Sequence, residues 1–331
     1  MSGSRGTLSI LLLSLLTASV AWGQDDPFEP QPTEFKSERK RPSVFRRPEK
    51  DTPDAQLAYA TRLHLAGDLK QAARQYLALV HEWHDSSEAV RAQLAYAEIL
   101  MNRGRDERAF REFQYLVDHY AGLFPHDTVL GHQLAIAHRV RTKRRGKFLF
   151  YPGFTAPERA LPLLQRIVKN APKWEKAPEA QFYYGRIRES QRDYVEAVAA
   201  YEVLQSRYPR SDFAVRAAHR RAVCLWALAE QSPRDEQRCQ TAIRALAAFV
   251  RAHPGDRNTA GAREKLAVLT ERLAQAVYER AVFYDRRARR PDSALIAYKE
   301  YLRRFPLSSR AAEVHKRIKD LEAEQEPGDE K

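Results

Sequence analysis

The stretch SQRDYVEAVAAYEVLQSRYP (Ser190–Pro209) decides the fold. A polar turn leads into a run in which Ala197, Tyr201 and Leu204 stand four and three residues apart, on one helical face. Pro209 falls where that helix should stop. The same set recurs along the chain. Alanines begin a second helix at Ala72, Ala109, Ala160, Ala197, Ala242 and Ala294. Four residues later stand Tyr76, Phe113, Leu164, Tyr201, Leu246 and Tyr298, and seven later Leu79, Leu116, Ile167, Leu204, Phe249 and Tyr301. Twelve later come His84, Ala121, Pro172, Pro209, Pro254 and Pro306. Preceding helices supply small residues at Ala60, Ala97, Gly185, Ala222 and Ala281, and turns such as AGDLKQA (Ala66–Ala72) and NRGRDERA (Asn102–Ala109) join each pair.

A small residue, an alanine, an aromatic and a proline recurring along helix pairs resemble the tetratricopeptide (TPR) pattern. Spacings of 37, 51, 37, 45 and 52 between the alanines mark the repeats as irregular. The resemblance implies an all-α, right-handed superhelical solenoid of about six TPR-like hairpins over residues 51–324. A capping helix is expected near Ser308–Glu324, with Val314, Ile318 and Leu321 at helical spacing. Two insertions stand out: RVRTKRRGKFLFYPGF (Arg139–Phe154) in the third hairpin, and AEQSPRDEQRCQ (Ala229–Gln240), read as a long turn in the fifth. The first helix of the sixth unit is expected over Thr259–Arg289.

Before the repeats, Arg5 precedes the apolar run LSILLLSLLTASVA (Leu8–Ala21), shorter than a spanning helix needs. Residues 1–23 read as a signal peptide, cut before Gln24 or before Trp22, with an uncleaved membrane anchor as the alternative. No cysteine stands near that site, so no lipid attachment at a mature N-terminal cysteine is expected. Residues 24–50, with five prolines and a basic stretch from Ser37 to Lys50, read as a disordered tether, and residues 325–331 as a disordered charged tail. The net charge of +13 comes from 56 basic and 43 acidic residues spread along the chain. Such a surface attracts acidic proteins or anionic lipid; for an exported protein nucleic acid is not an expected partner.

The residues carry no catalytic signature: no GxSxG elbow, no phosphate-cradling glycine loop and no HExxH. His81 and His84 in HEWHD are three apart with no third ligand close by, and read as exposed helix-end histidines rather than a metal site. No cofactor and no metal are expected. Cys224 and Cys239 lie about equally far from the turn at Ser232 and Pro233, so a hairpin could place them opposite each other for a disulfide; free thiols are the alternative. In a solenoid the first helices line the concave face, where extended peptides bind. By repeat position His64, Glu98, Met101, Phe182, Arg186 and Trp226 are candidate groove residues, although Phe182 and Trp226 also suit packing between repeats. The basic aromatic insertion at 139–154 could meet lipid head groups or an acidic surface, or fold its aromatics back over neighbouring helices.

LAVLTERLAQAVYERAVFY (Leu266–Tyr284), followed by SALIAYKEYLRRFPLSSRAAEV (Ser293–Val314), resembles BamD, the TPR component of the outer-membrane β-barrel assembly machinery. The shared features are a long helix with an RLA-x-x-x-Y core and the punctuation in RYPRS (Arg207–Ser211) and RFPLS (Arg304–Ser308). The resemblance implies a non-catalytic periplasmic scaffold at the outer membrane, binding unfolded outer-membrane proteins and the barrel-forming subunit. It places Arg272 where the family pairs an arginine with a carboxylate of that subunit. Family members are typically lipoproteins, which this chain departs from. A different periplasmic TPR adaptor, of Tol–Pal or cell-wall systems, is the alternative.

Overall fold

The computed structural model describes residues 38–145 and 153–325. The expected signal segment, the first part of the tether and the tail lie outside them. Among the described residues the chain is an all-α TPR solenoid whose thirteen helices pack in sequence order. The first helices of the hairpins are α1 (Pro53–Leu65), α3 (Ser87–Asn102), α5 (His126–Thr142), α7 (Ala177–Ser190), α9 (Asp212–Gln231) and α11 (Thr259–Val282). Their partners are α2 (Leu69–Glu82), α4 (Asp106–His119), α6 (Leu161–Asn170), α8 (Tyr194–Arg207), α10 (Glu236–Ala252) and α12 (Pro291–Arg304). Helix α13 (Ala311–Gln325) caps the end with Val314, Ile318 and Leu321 buried against the last hairpin.

The repeat alphabet is the core. All six second-helix alanines are fully buried, and the residues four and seven places on are at most 3% exposed. Gly185 shows why the first helix needs a small residue: a Cβ there would stand 2.7 Å from the Tyr201 ring. Each second helix ends two residues before the proline position, including the two units that have His84 and Ala121 instead. The stop is made by the residue after the helix, Trp83, Tyr120, Ala171, Tyr208, His253 or Phe305, which leaves the helical region with ψ of 34–67°. Where proline follows, its ring disfavours helical backbone in the residue before it. Without proline, Tyr120 is buried and its hydroxyl donates to the His84 carbonyl at 2.8 Å.

A second buried motif lies four residues before the small residue. Gln56, Gln93, Gln133 and Gln181 are at most 1% exposed. Three of them donate through Nε2 to a second-helix carbonyl nineteen residues on: Gln75 (3.1 Å), Glu112 (2.9 Å) and Ala200 (2.9 Å). Gln133 instead donates to Gln114 Oε1 at 3.2 Å. In the last two units Ala218 and Val277 take this position and packing is apolar.

The insertions differ from expectation. Residues Ala229–Gln240 are not a long turn: α9 runs to Gln231 and α10 starts at Glu236, so the extra residues lengthen two helices. Asp235 caps α10, accepting from the Arg238 amide at 3.0 Å. In the third unit the insertion forms an antiparallel stem, β1 (Arg144–Arg145) with β2 (Phe154–Thr155), before a 3₁₀ turn leads into α6. Its aromatics Phe148, Phe150 and Tyr151 lie outside the described residues. Helix α11 ends at Val282 rather than Arg289, passing into a π turn at Phe283–Arg287 and a left-handed Arg289 (φ 51°).

The described part of the tether, Glu38–Lys50, is irregular but held. Lys40 Nζ enters a pocket between α3 and α4, bonding Glu112 at 2.7 Å and Gln93, and lies 4.4 Å from the Tyr115 ring centre. The amides of Glu49 and Lys50 donate to Gln56 Oε1, each at 3.0 Å. This strap also covers His81, which is buried rather than exposed as expected. His81 Nδ1 donates to the Arg41 carbonyl, and its Nε2 accepts from Arg46 at 2.8 Å.

Candidate partner-binding face

Successive first helices meet along seams, and five seams pair a carboxylate with a histidine or an arginine. Glu98 faces His132 across α3 and α5 at 3.5 Å. His138 meets Glu179 across α5 and α7 at 3.0 Å. Between α7 and α9, Glu189 accepts from Arg220 Nε at 2.9 Å, from Tyr201 at 2.9 Å and from Arg186 at 3.2 Å. Glu230 pairs with Arg272 across α9 and α11 at 2.8 Å. Asp285 of the π turn takes a two-pronged contact from Arg317 of α13, at 2.9 and 2.8 Å, and a bond from Tyr298 at 3.1 Å. The hydrogen bonds from Arg317 hold the Asp285 carboxyl below its ordinary range, while burial lowers the affinity of His138 for a proton.

The last four seams also carry a cation seated on a ring of the neighbouring first helix or cap. Arg141 lies 4.4 Å from the Tyr183 centroid, Arg216 4.6 Å from Phe182, Lys265 5.1 Å from Trp226, and Arg310 4.5 Å from Tyr278. Among the described residues none of these four has a carboxylate within salt-bridge distance.

The sequence-derived groove residues fall out unevenly. His64 is half-buried at the end of α1, edge-on to Tyr76. Met101 is half-buried in the last turn of α3. Glu98 and Arg186 are committed to the pairs above. Phe182 is 3% exposed and packs on Tyr183, Tyr201 and Phe213, so it serves the core and supplies the platform for Arg216. Trp226 is half-buried, with Nε1 enclosed and unbonded. Arg272, with no carboxylate three or four residues away on its own helix, pairs with Glu230 of the preceding repeat, while its Nη1 is buried without a partner. Glu189, Arg216, Lys265 and Arg310 escaped sequence reading, and Arg141 reads there only as part of the basic insertion at 139–154. Repeat position could rank them as surface, but not assign rings or counter-ions across a seam.

The structure does not pair the two cysteines. Cys224 and Cys239 are free and buried in different clusters: Cys224 with Phe182 and Tyr201, Cys239 with Leu246 and Leu269. Cys239 Sγ points at the Leu269 carbonyl, 3.5 Å away, and burial pushes the Cys224 thiol up to about 12. The two helices put these side chains on opposite sides of the hairpin. Among the described residues no group of three or more metal-ligating side chains converges, and no helix is long and apolar enough to cross a membrane.

The fold defines a TPR-type solenoid whose first helices carry a ladder of paired side chains at their seams. The tetratricopeptide repeat model matches residues 66–124 and 156–212, and the YfiO model, described as outer membrane lipoprotein, matches residues 190–324. No curated protein matches the chain. Similar solved structures include YrrB, a TPR protein described as having an unusual peptide-binding site (16% identity, 63% of this chain and 90% of that one, TM-score 0.32). Others are the C-terminal part of a TPR repeat-containing protein from Cytophaga hutchinsonii (17%, 80% and 88%, TM-score 0.35) and a tetratricopeptide repeat protein from Parabacteroides merdae (12%, 82% and 98%, TM-score 0.32).

Proposed function

We propose that this chain is a non-catalytic, exported scaffold of the BamD kind. It works in the periplasm at the outer membrane, where it binds unfolded outer-membrane proteins and docks the barrel-forming subunit of the assembly machinery. The observation that carries the reading is the outer membrane lipoprotein match over residues 190–324, which spans α8–α13 and contains the long helix α11 with Arg272. Arg272 is 29% exposed at the α9–α11 seam, and a partner's carboxylate could compete with Glu230 for its planar fork. Arg272→Glu tests this. It should abolish co-purification of the barrel-forming subunit from solubilised envelopes, because reversing a close interfacial charge costs at least ~2–5 kcal/mol. Glu230→Gln, which frees the arginine, should not weaken capture. Undiminished capture by Arg272→Glu removes the arginine from the interface, and recovery of Tol–Pal components instead points to a different envelope adaptor.

A further inference from the structure

Four cations, Arg141, Arg216, Lys265 and Arg310, lie one to a seam from α5 to α13, each on an aromatic ring and each without a carboxylate partner among the described residues. We infer that this inner face takes an extended acidic segment of a partner protein, its carboxylates meeting these cations in turn. The inference rests on the scaffold reading and adds the chemistry of what is held. A guanidinium or ammonium resting on a ring has its stem placed, so less side-chain entropy remains to be lost on binding. A stacked guanidinium also keeps its edge N–H groups free, the edge that grips a carboxylate bidentately. Neighbouring seam cations do not compete for the role. Arg220, Arg272 and Arg317 are already bonded to Glu189, Glu230 and Asp285. Three of these four seams therefore have a cation spent on holding the solenoid together and another left over, while the α5–α7 seam is held by His138 and Glu179 and leaves Arg141 over. Recurrence at the helix-pair repeat suits a chain running along the array. The rings are covered by the cations rather than open for stacking nucleobases.

The test uses the full chain and a fluorescent peptide of alternating Glu and Ser, with a Gln–Ser peptide as its neutral match. The Glu peptide should bind at least about tenfold more tightly, with affinity falling as salt rises. Replacing Arg141, Arg216, Lys265 and Arg310 together by Gln should bring its affinity down to that of the Gln peptide. The single exposed change Arg216→Gln should lower it measurably without touching the fold. Replacing Lys70, Arg111, Arg244 and Arg251, exposed cations of second helices, removes the same charge and should leave binding nearly intact. An equal loss in both sets would reduce the effect to net charge and overturn the inference, as would equal affinity for the two peptides. Tighter, seam-dependent binding of phosphatidylglycerol vesicles or oligothymidine would overturn it too. Capture of the barrel-forming subunit through Arg272 is a separate readout, so either result can fail while the other stands.

Discussion

Lys40 sits where a lysine is costly unless paired. Its side chain is 14% exposed against 16% for Glu112, and burial lowers its hold on the proton, an effect that Glu112 offsets only in part. Lys40→Met keeps the stem on Tyr115 but strands the carboxylate. We expect a loss of ~1–3 kcal/mol in urea unfolding, partly recovered by adding Glu112→Gln. Gly185 is the complementary case of space. Tyr201 is fully buried and its hydroxyl is tied to Glu189, so the ring cannot yield to a new methyl group. Gly185→Ala should cost ~1–3 kcal/mol, whereas Gly131→Ala, with nothing within 4 Å of its added Cβ, should be neutral or mildly stabilising.

At the scale of elements, the hairpin of α9 and α10 and the end of α11 carry the sharpest expectations. Burial of Cys224 and Cys239 in separate clusters predicts that a thiol reagent finds neither in the native protein and both after denaturation without reductant. One disulfide per chain in mass spectrometry would contradict that. The π turn carries Asp285, whose carboxylate, 7% exposed, joins α12 through Tyr298 and α13 through Arg317. Asp285→Ala should speed hydrogen exchange in α13 by the largest factor and leave α1–α8 unchanged, because repeats transmit stability chiefly to neighbours.

Across the whole molecule, acid is the predicted weakness. Burial lowers the pKa of His81, His138 and His219 below the ordinary 6.5. The unfolded chain then takes up protons first, so stability is full above that value and falls as pH drops through it toward the folded pKa values. Asp285, depressed by Arg317, adds a loss at lower pH in the same direction. A falling urea midpoint between pH 7 and 5 is the expected outcome. His81→Gln can keep the bonds to Arg41 and Arg46 without titrating, and should flatten part of that fall. A midpoint that rises on acidification would refute the assignment.

The sequence by itself determined the hairpins. Burial of an alanine, an aromatic and a large aliphatic or aromatic residue on one helical face is local, and a period of four and three residues displays it whatever the loops do. The resemblance carried by Leu266–Tyr284 also singled out Arg272. What only the tertiary structure decided is everything that crosses a seam. Glu230 is forty-two places from Arg272, whereas Phe182 is thirty-four from Arg216. Insertions of variable length vary the count from repeat to repeat, so no fixed spacing reveals such partners. The strap shows the same limit. Prolines and charge made Glu38–Lys50 read as solvated linker, but Lys40, Arg41 and Arg46 find their partners 35–75 residues away, on surfaces that exist only once the first two repeats are packed.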